Sequence, residues 1–256
     1  MCPNAHRLAT IAQRIDGPTP DPAEGVFETT LVVDGKAVEV DAHLARLESS
    51  LDALYGLPLP AEAAGLVANA AHGTALGRLR LTAVPAAGAA TASVRVAEVD
   101  RALVFPDWDR AVELAPVAVP GGIGAHKWAD RRLLERAEAE VGPAVPLVVD
   151  SDATPLEGSR GNLFLVCGAV VITPPADGRV LPGITRARAI EAARGLGIEL
   201  REQPLGPDDL ADAGEAFLTG GVRGVEPVRR CVGVSEWDFG EVTARVAAEL
   251  RRSWLG

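Results

Sequence analysis

Apolar and polar positions change period several times along the chain, and each change marks an element. Residues 16 to 25 are turn and breaker chemistry throughout, from Asp16-Gly17-Pro18 to Asp21-Pro22, because proline fixes φ and removes a donor. The first regular strand is therefore expected at Val26. Val26 to Val33, the dipeptide Asp34-Gly35 and Ala37 to Val40 predict a hairpin, since Asp-Gly supplies the positive φ values of a tight turn. Asp41 is the expected cap of a helix in which Leu44, Leu47, Leu51 and Leu54 recur at helical spacing and share one apolar face. A second helix is expected over residues 60 to 72, then strands near 76 to 84 and 92 to 98 joined through Pro85-Ala86-Ala87-Gly88.

The segment Leu114-Ala115-Pro116-Val117-Ala118-Val119-Pro120-Gly121-Gly122 has the proline and glycine content of a crossing between domains. A boundary is placed there, giving domains 1–117 and 118–256. Beyond it the pattern predicts a helix over 128 to 141, strands near 145 to 150, 162 to 166 and 169 to 173, and a helix over 184 to 196. Strands near 198 to 203, 214 to 218 and 225 to 232 come next, and a closing helix is expected from Ser235, whose hydroxyl suits an N-cap. Strands and helices mixed in this way define an α+β fold.

Composition narrows the function classes. With 256 residues and 48% hydrophobic content the chain can bury a large core, and a net charge of −10 argues against nucleic-acid or anionic-membrane partners. Cys2, Cys167 and Cys231 are odd in number and far apart, which gives no disulfide framework and favours the reducing cytoplasm. No apolar run approaches the ~20 residues of a membrane span. His6, His43, His72 and His126 include no pair at helical metal-ligand spacing, so no metal site is expected.

One lysine stands out. Lys127 ends the run Gly121-Gly122-Ile123-Gly124-Ala125-His126-Lys127, where glycines allow close backbone approach and partial burial would lower the amine's pKa toward a nucleophile. By itself it also reads as a surface lysine at a helix start. Glu157, before Gly158-Ser159-Arg160-Gly161, reads by itself as a solvated carboxylate beside a hairpin loop. The glycines and serine are misplaced for a nucleophile elbow. Gly122-Ile123-Gly124 lacks the third glycine of a dinucleotide fingerprint, and His126-Lys127-Trp128 cannot end a P-loop.

Taken in order, Gly25-Val26-Phe27-Glu28-Thr29, His43-Leu44-Ala45-Arg46-Leu47, Lys127 with its glycine run, Leu156 to Phe164, Leu181-Pro182-Gly183-Ile184-Thr185-Arg186 and Leu218-Thr219-Gly220-Gly221-Val222 resemble the class IV aminotransferases, the fold-type IV pyridoxal-phosphate enzymes. The resemblance runs over roughly residues 25 to 232. It implies a small N-terminal α/β sandwich domain, a larger C-terminal domain with a barrel-like mixed sheet, and a homodimer. It also implies pyridoxal 5'-phosphate as cofactor, with Lys127 holding it, Glu157 facing the pyridine nitrogen, and Arg46 on the phosphate. The remaining phosphate donors would be the amides of Ile184 and Thr185, Thr219 and Gly220. A guanidinium fork and a helix N-terminus both suit a dianionic phosphate.

Within that class the stretch Trp128-Ala129-Asp130-Arg131-Arg132 puts charge where branched-chain enzymes carry an aromatic wall. Thr82-Ala83-Val84-Pro85 stands where D-amino acid enzymes carry Thr-Arg-Gly. The chain is most similar to bacterial aminodeoxychorismate lyases, which implies cleavage of 4-amino-4-deoxychorismate to 4-aminobenzoate and pyruvate, with Thr29 as proton donor. Arg131, Arg132, Arg160 and Arg223 are the candidates to pair with the substrate carboxylates. The alternative is a transaminase for branched-chain or D-amino acids. Thr19-Pro20-Asp21-Pro22-Ala23-Glu24-Gly25 departs from the Gly-Asp-Gly that relatives usually carry before Phe-Glu-Thr.

Overall fold

The computed structural model describes residues 3–17 and 19–256, so Cys2 and Pro18 lie outside the described residues. The chain opens with helix α1 (Pro3–Ile11) and the short strand β1 (Gln13–Arg14), neither of which local patterning indicates. It then forms β2 (Val26–Val33), β3 (Lys36–Ala37), α2 (Val40–Tyr55), α3 (Ala63–Ala71), β4 (Leu76–Ala86) and β5 (Ala89–Glu98). These strands make an antiparallel sheet in the order β3-β2-β4-β5. Alternation sorts its side chains: Val26 and Val32 with Leu79, Leu81 and Ala83 pack on Leu47 and Leu51 of α2 and Val67 of α3. The opposite face carries Phe27 beside Thr82, Thr29 beside Arg80 and Leu31 beside Arg78, because cross-strand partners share a face.

After a crossing segment come β6 (Val112–Ala118), α4 (Arg132–Val141), β7 (Val145–Val149), β8 (Pro155–Gly158), β9 (Gly161–Cys167), β10 (Val170–Thr173), α5 (Ile184–Gly195), β11 (Glu199–Glu202), α6 (Pro207–Asp212), β12 (Glu215–Gly220), β13 (Gly224–Cys231), β14 (Ser235–Glu236) and α7 (Glu241–Leu255). Strands β6, β7, β8, β9, β12 and β13 pair in succession, and a parallel β13–β6 pairing closes them into a barrel. Leu114, Leu147, Leu163, Leu165, Leu218 and Val228 belong to one core cluster. Phe164 and Phe217 stack with centroids 4.8 Å apart in a second, shared with α5 and α7 through Ile190, Leu250 and Trp254. The architecture is the α+β arrangement of a small sheet domain and a barrel-like mixed sheet.

One pairing decides where the chemistry sits. Strands β6 and β7 are parallel, so the chain must cross over between them, and the connection carries the glycine run, Lys127 and α4. The expected helix start near residue 128 is displaced for that reason: residues near Lys127 are extended and pair with β2, and α4 begins at Arg132.

Other differences have equally local causes. The hairpin turn has positive φ at Asp34 (47°) and Gly35 (76°), but the returning strand stops at Ala37. Glu39, at φ 53°, turns the chain into α2, and its carboxylate takes two hydrogen bonds from Arg188 of α5; Asp41 lies inside the first turn rather than capping it. Ser235 sits in β14, and α7 starts at Glu241, its first amides bonded to the Glu215 carboxylate. Strand β6, just before residue 118, belongs to the barrel, and β1 pairs with it.

Phe164 is fully buried against Phe217, so Phe164→Ala should remove about 3–5 kcal/mol of stability. Urea unfolding followed by tryptophan fluorescence measures it. A loss below about 1 kcal/mol would show that the stack contributes little to the core it sits in.

Candidate functional site

Lys127 is held by backbone pairing on both sides. The Phe27 N–H donates to the Lys127 carbonyl at 2.9 Å, and the Ala129 N–H donates to the Gly25 carbonyl at 2.9 Å. The approach requires Gly25, which has φ 78° and where a Cβ would fall 2.1 Å from the Ala83 carbonyl oxygen. Asp130 then accepts the Asp21 and Arg132 N–H groups as well as the Arg132 guanidinium; these bonds, those to Arg132 first, hold its carboxyl well below the usual range. Ahead of the lysine, Gly122 packs against Arg179, whose carbonyl oxygen would lie 2.3 Å from a Cβ there.

The lysine faces a cavity of about 750 Å³ between the small sheet and the barrel mouth, within the range of small-molecule sites. The chain contains two lysines, and the other, Lys36, is exposed on β3. Lys127 is half-buried, with its Nζ 4.9 Å from the centre of the Phe27 ring. Burial is the largest influence on its amine, Glu28 and Glu157 oppose it, Arg46 and Arg131 reinforce it, and the pKa falls to about 8.

Glu157, on β8, is 2% exposed. It accepts hydrogen bonds from the Leu181 N–H at 2.9 Å and from Asn162 Nδ2 at 3.1 Å. Burial nevertheless pushes its carboxyl up to about 8, so a cation placed beside it would be stabilised by its ionisation. The solvated carboxylate that the local sequence suggests is not what the fold adopts.

Arg46 projects from α2 into a three-way contact. Its Nε and Nη2 donate to the Glu28 carboxylate at 2.7 and 2.6 Å, and its Nη1 donates to the Pro182 carbonyl at 2.8 Å. His43 Nδ1 meets the same carboxylate at 2.7 Å. Burial would raise Glu28, but the bonds from His43 and Arg46 outweigh it and bring its pKa to about 2. Sequence patterning singled out Arg46 and left Glu28 and His43 unassigned, because two helical positions and a strand position meet only in the fold.

Beside Arg46, helix α5 starts at Ile184 after Gly183 with no side-chain cap, so its first amides are open to an anion. Ile184, Thr185, Thr219 and Gly220 all line the cavity. The buried Thr219 hydroxyl has no hydrogen-bond partner among the described residues. Thr29 lines the cavity beside Gly221, where the Leu31 N–H donates to the Gly221 carbonyl at 2.8 Å and ties β2 to the end of β12.

The expected substrate arginines divide. Arg160 and Arg223 line the cavity but share the buried Glu226 carboxylate, at 2.8 and 3.0 Å. Arg131 lines it and pairs with Glu138 at 3.2 Å. Arg132 does not line it; it is exposed and engaged with Asp130 at 2.6 Å. Arg78 and Arg80 line the cavity and were not singled out; the signal lay in Gly77-Arg78-Leu79-Arg80-Leu81, whose strand period puts both arginines on one face.

Residues 25–231 match the family model for amino-transferase class IV, and the chain belongs to that family. The branched-chain-amino-acid aminotransferase of Escherichia coli (strain K12) is 38% identical over 142 residues, which are 54% of this chain and 45% of that protein. The chain thus spans about half the length of the curated relatives it matches. A hypothetical aminotransferase from Mycobacterium tuberculosis, in its PLP-bound form, superposes with a TM-score of 0.79 at 26% identity, covering 91% of this chain and 89% of that one. A candidate 4-amino-4-deoxychorismate lyase from Legionella pneumophila shares the fold, with a TM-score of 0.78 at 19% identity, covering 94% of this chain and 99% of that one.

The family's cofactor is pyridoxal 5'-phosphate, and the cavity fits it: a low-pKa amine, a buried carboxylate, an uncapped helix start and a buried, unpartnered hydroxyl converge on one space. Among the described residues no group of three or more histidine, cysteine or acidic side chains is arranged to hold a metal ion. No helix of those residues is long and apolar enough to cross a membrane.

A pKa of about 8 means that Lys127 becomes a free base near neutral pH, well below the ordinary 10.5. In cofactor-free protein, acylation of Lys127 read by peptide mass spectrometry should therefore rise with a midpoint near 8, with exposed Lys36 as the internal reference. A Lys127 midpoint near 10.5 would mean that burial does not activate it.

Proposed function

We propose that this chain is a pyridoxal-phosphate-dependent lyase that converts 4-amino-4-deoxychorismate to 4-aminobenzoate and pyruvate. The observation that carries the reading is the charge of the cavity: arginines 78, 80 and 131 face the space that a branched-chain substrate would need as an apolar wall. In this reading Lys127 holds the cofactor and Glu157 faces the ring nitrogen. Arg46, the amides of Ile184 and Thr185, Thr219 and Gly220 take the phosphate. The cofactor supplies an aldehyde to receive an amine and a ring that accepts electrons.

The protein's own part is proton management and exclusion of water. Once the substrate amine has displaced it, the Lys127 amine removes the proton from the carbon bearing that amine, a task suited to a base with a pKa of about 8. Breaking the carbon–oxygen bond to the enolpyruvyl group then makes the ring aromatic, and a hydroxyl at Thr29 delivers the proton that completes pyruvate. Substrate atoms are conserved between the two products, so no oxidant or further reactant enters. Glu28 holds Arg46 with two hydrogen bonds, which fixes the guanidinium before an anion arrives. Assembly as a homodimer in the cytoplasm belongs to the same proposal.

The second reading, an aminotransferase for branched-chain amino acids, is favoured by the 38% identity to enzymes of that name. Product analysis separates the two. The lyase reading expects pyruvate and 4-aminobenzoate in equal amounts from aminodeoxychorismate, with no keto acid from leucine or D-alanine plus 2-oxoglutarate. Rapid keto-acid formation without pyruvate release would assign the chain to the aminotransferases.

A further inference from the structure

The cavity holds more positive charge than a phosphate needs, and its arginines are not equivalent. Arg46 is neutralised by Glu28, Arg160 and Arg223 share Glu226, and Arg131 pairs with Glu138. Arg78 and Arg80 have no hydrogen bond or ion pair among the described residues. Glu98 and Asp100 line the same cavity without pairing with either.

Arg80 is nonetheless placed with care. Its guanidinium carbon lies 3.8 Å from the centre of the Phe27 ring, a cation–π contact that uses none of its N–H donors and leaves them for an anion. The sheet register sets Arg80 between Thr29 on β2 and Arg95 on β5, with Arg78 two positions away on the same face. Like charges directly opposite one another in a sheet are destabilising. Burial, then Arg131, Arg78 and Arg95, push the Arg80 pKa down, against a smaller pull from Glu135. An anion bound at its edge would relieve that repulsion.

The second cation on the same ring is Lys127, whose Nζ is 4.9 Å from the Phe27 centre. The reacting amine of a substrate must come to the place of that Nζ. Because both groups lie against one phenyl ring, at 3.8 and 4.9 Å from its centre, an anion on Arg80 and the reacting amine fall within the reach of one small molecule. A monocarboxylic α-amino acid has its only carboxylate on the carbon that bears the amine; a substrate that engages Arg80 as well needs a carboxylate remote from that carbon.

We propose that Arg80, laid on Phe27, is the docking group for a substrate carboxylate remote from the carbon that bears the reacting amine, which in the proposed substrate is the carboxylate on the ring. Arg78 adds to the local positive field. The inference rests on the reading of Lys127 as the site of amine exchange and deepens the proposed function. It assigns to Arg80 the carboxylate contact that Arg131, Arg132, Arg160 and Arg223 were expected to share.

The test compares 4-aminobenzoate with its neutral isostere 4-aminobenzamide, titrated calorimetrically into the pyridoxal-phosphate-loaded protein. Wild type should prefer the carboxylate by tenfold or more. Arg80→Met, which keeps an unbranched chain over Phe27, should abolish the preference without changing cofactor absorbance, and Arg80→Lys should restore part of it. With aminodeoxychorismate as substrate, Arg80→Met should raise KM more than it lowers kcat.

A preference that survives in Arg80→Met, or its absence from wild type, would overturn the assignment. Should Arg80→Met not fold, a preference fully retained in Arg80→Lys and Arg80→Gln would do the same. If the preference depends on Arg80 but no pyruvate is formed, the subsite stands and the lyase reading falls. Pyruvate formed with a preference indifferent to Arg80 would leave the lyase reading and remove this one.

Discussion

The backbone pairing of Gly25 and Phe27 with Lys127 and Ala129 is the constraint on which the site depends. The crossover between β6 and β7 could take many paths, but those two hydrogen bonds attach it to the small sheet at the lysine itself. Further ties join the same two bodies around the cavity: Leu31 to Gly221, Arg46 to Pro182, and Glu39 to Arg188. Each contributes about 0.5–1.5 kcal/mol net, or about 1.5–3 where a charge takes part, so they specify geometry more than they stabilise. Burial of the apolar side chains in the core clusters does most of the stabilising.

Electrostatics in the site run against those of the molecule. The chain carries a net charge of −10, yet its cavity gathers arginines from β4, α2, the start of α4 and the β8–β9 and β12–β13 turns. Over a screening length of roughly 8–10 Å the nearby guanidiniums outweigh the distant surface acids, so the pocket attracts anions that the surface repels. Burial is the largest influence on both Lys127 and Glu157, opposed next by Glu28 at the amine and by the Leu181 N–H at the carboxyl, and both come to about 8. At neutral pH the carboxyl is therefore mostly its neutral acid, while the amine is still mostly protonated but has a far larger free-base share than an ordinary lysine.

Much of this was legible in the sequence because its signals are local. Lys127 follows a glycine run, Arg46 lies on a helix of strong period, and the α5 start follows Pro182-Gly183. What escaped depends on distant partners. Lys127 is extended rather than helical because β2, about a hundred residues earlier, pairs with it. The α7 start is set by Glu215 on another strand, so Ser235 misled. Strand β8 is short, bounded by Pro155 and Gly158 and buried at every position, which leaves no alternation to detect. The division of labour among the arginines required knowing where Glu226, Glu138 and Asp130 stand; residue type alone made all of them equal candidates.

The central claim is that the low-pKa amine of Lys127 is the cofactor's anchor. Borohydride reduction of the pyridoxal-phosphate-loaded protein, followed by peptide mass mapping, tests it most directly, since Lys36 is the only other lysine in the chain. The account predicts one pyridoxyl-phosphate group per chain, fixed on the peptide that contains Lys127. Label on Lys36, or none at saturating cofactor, would contradict it.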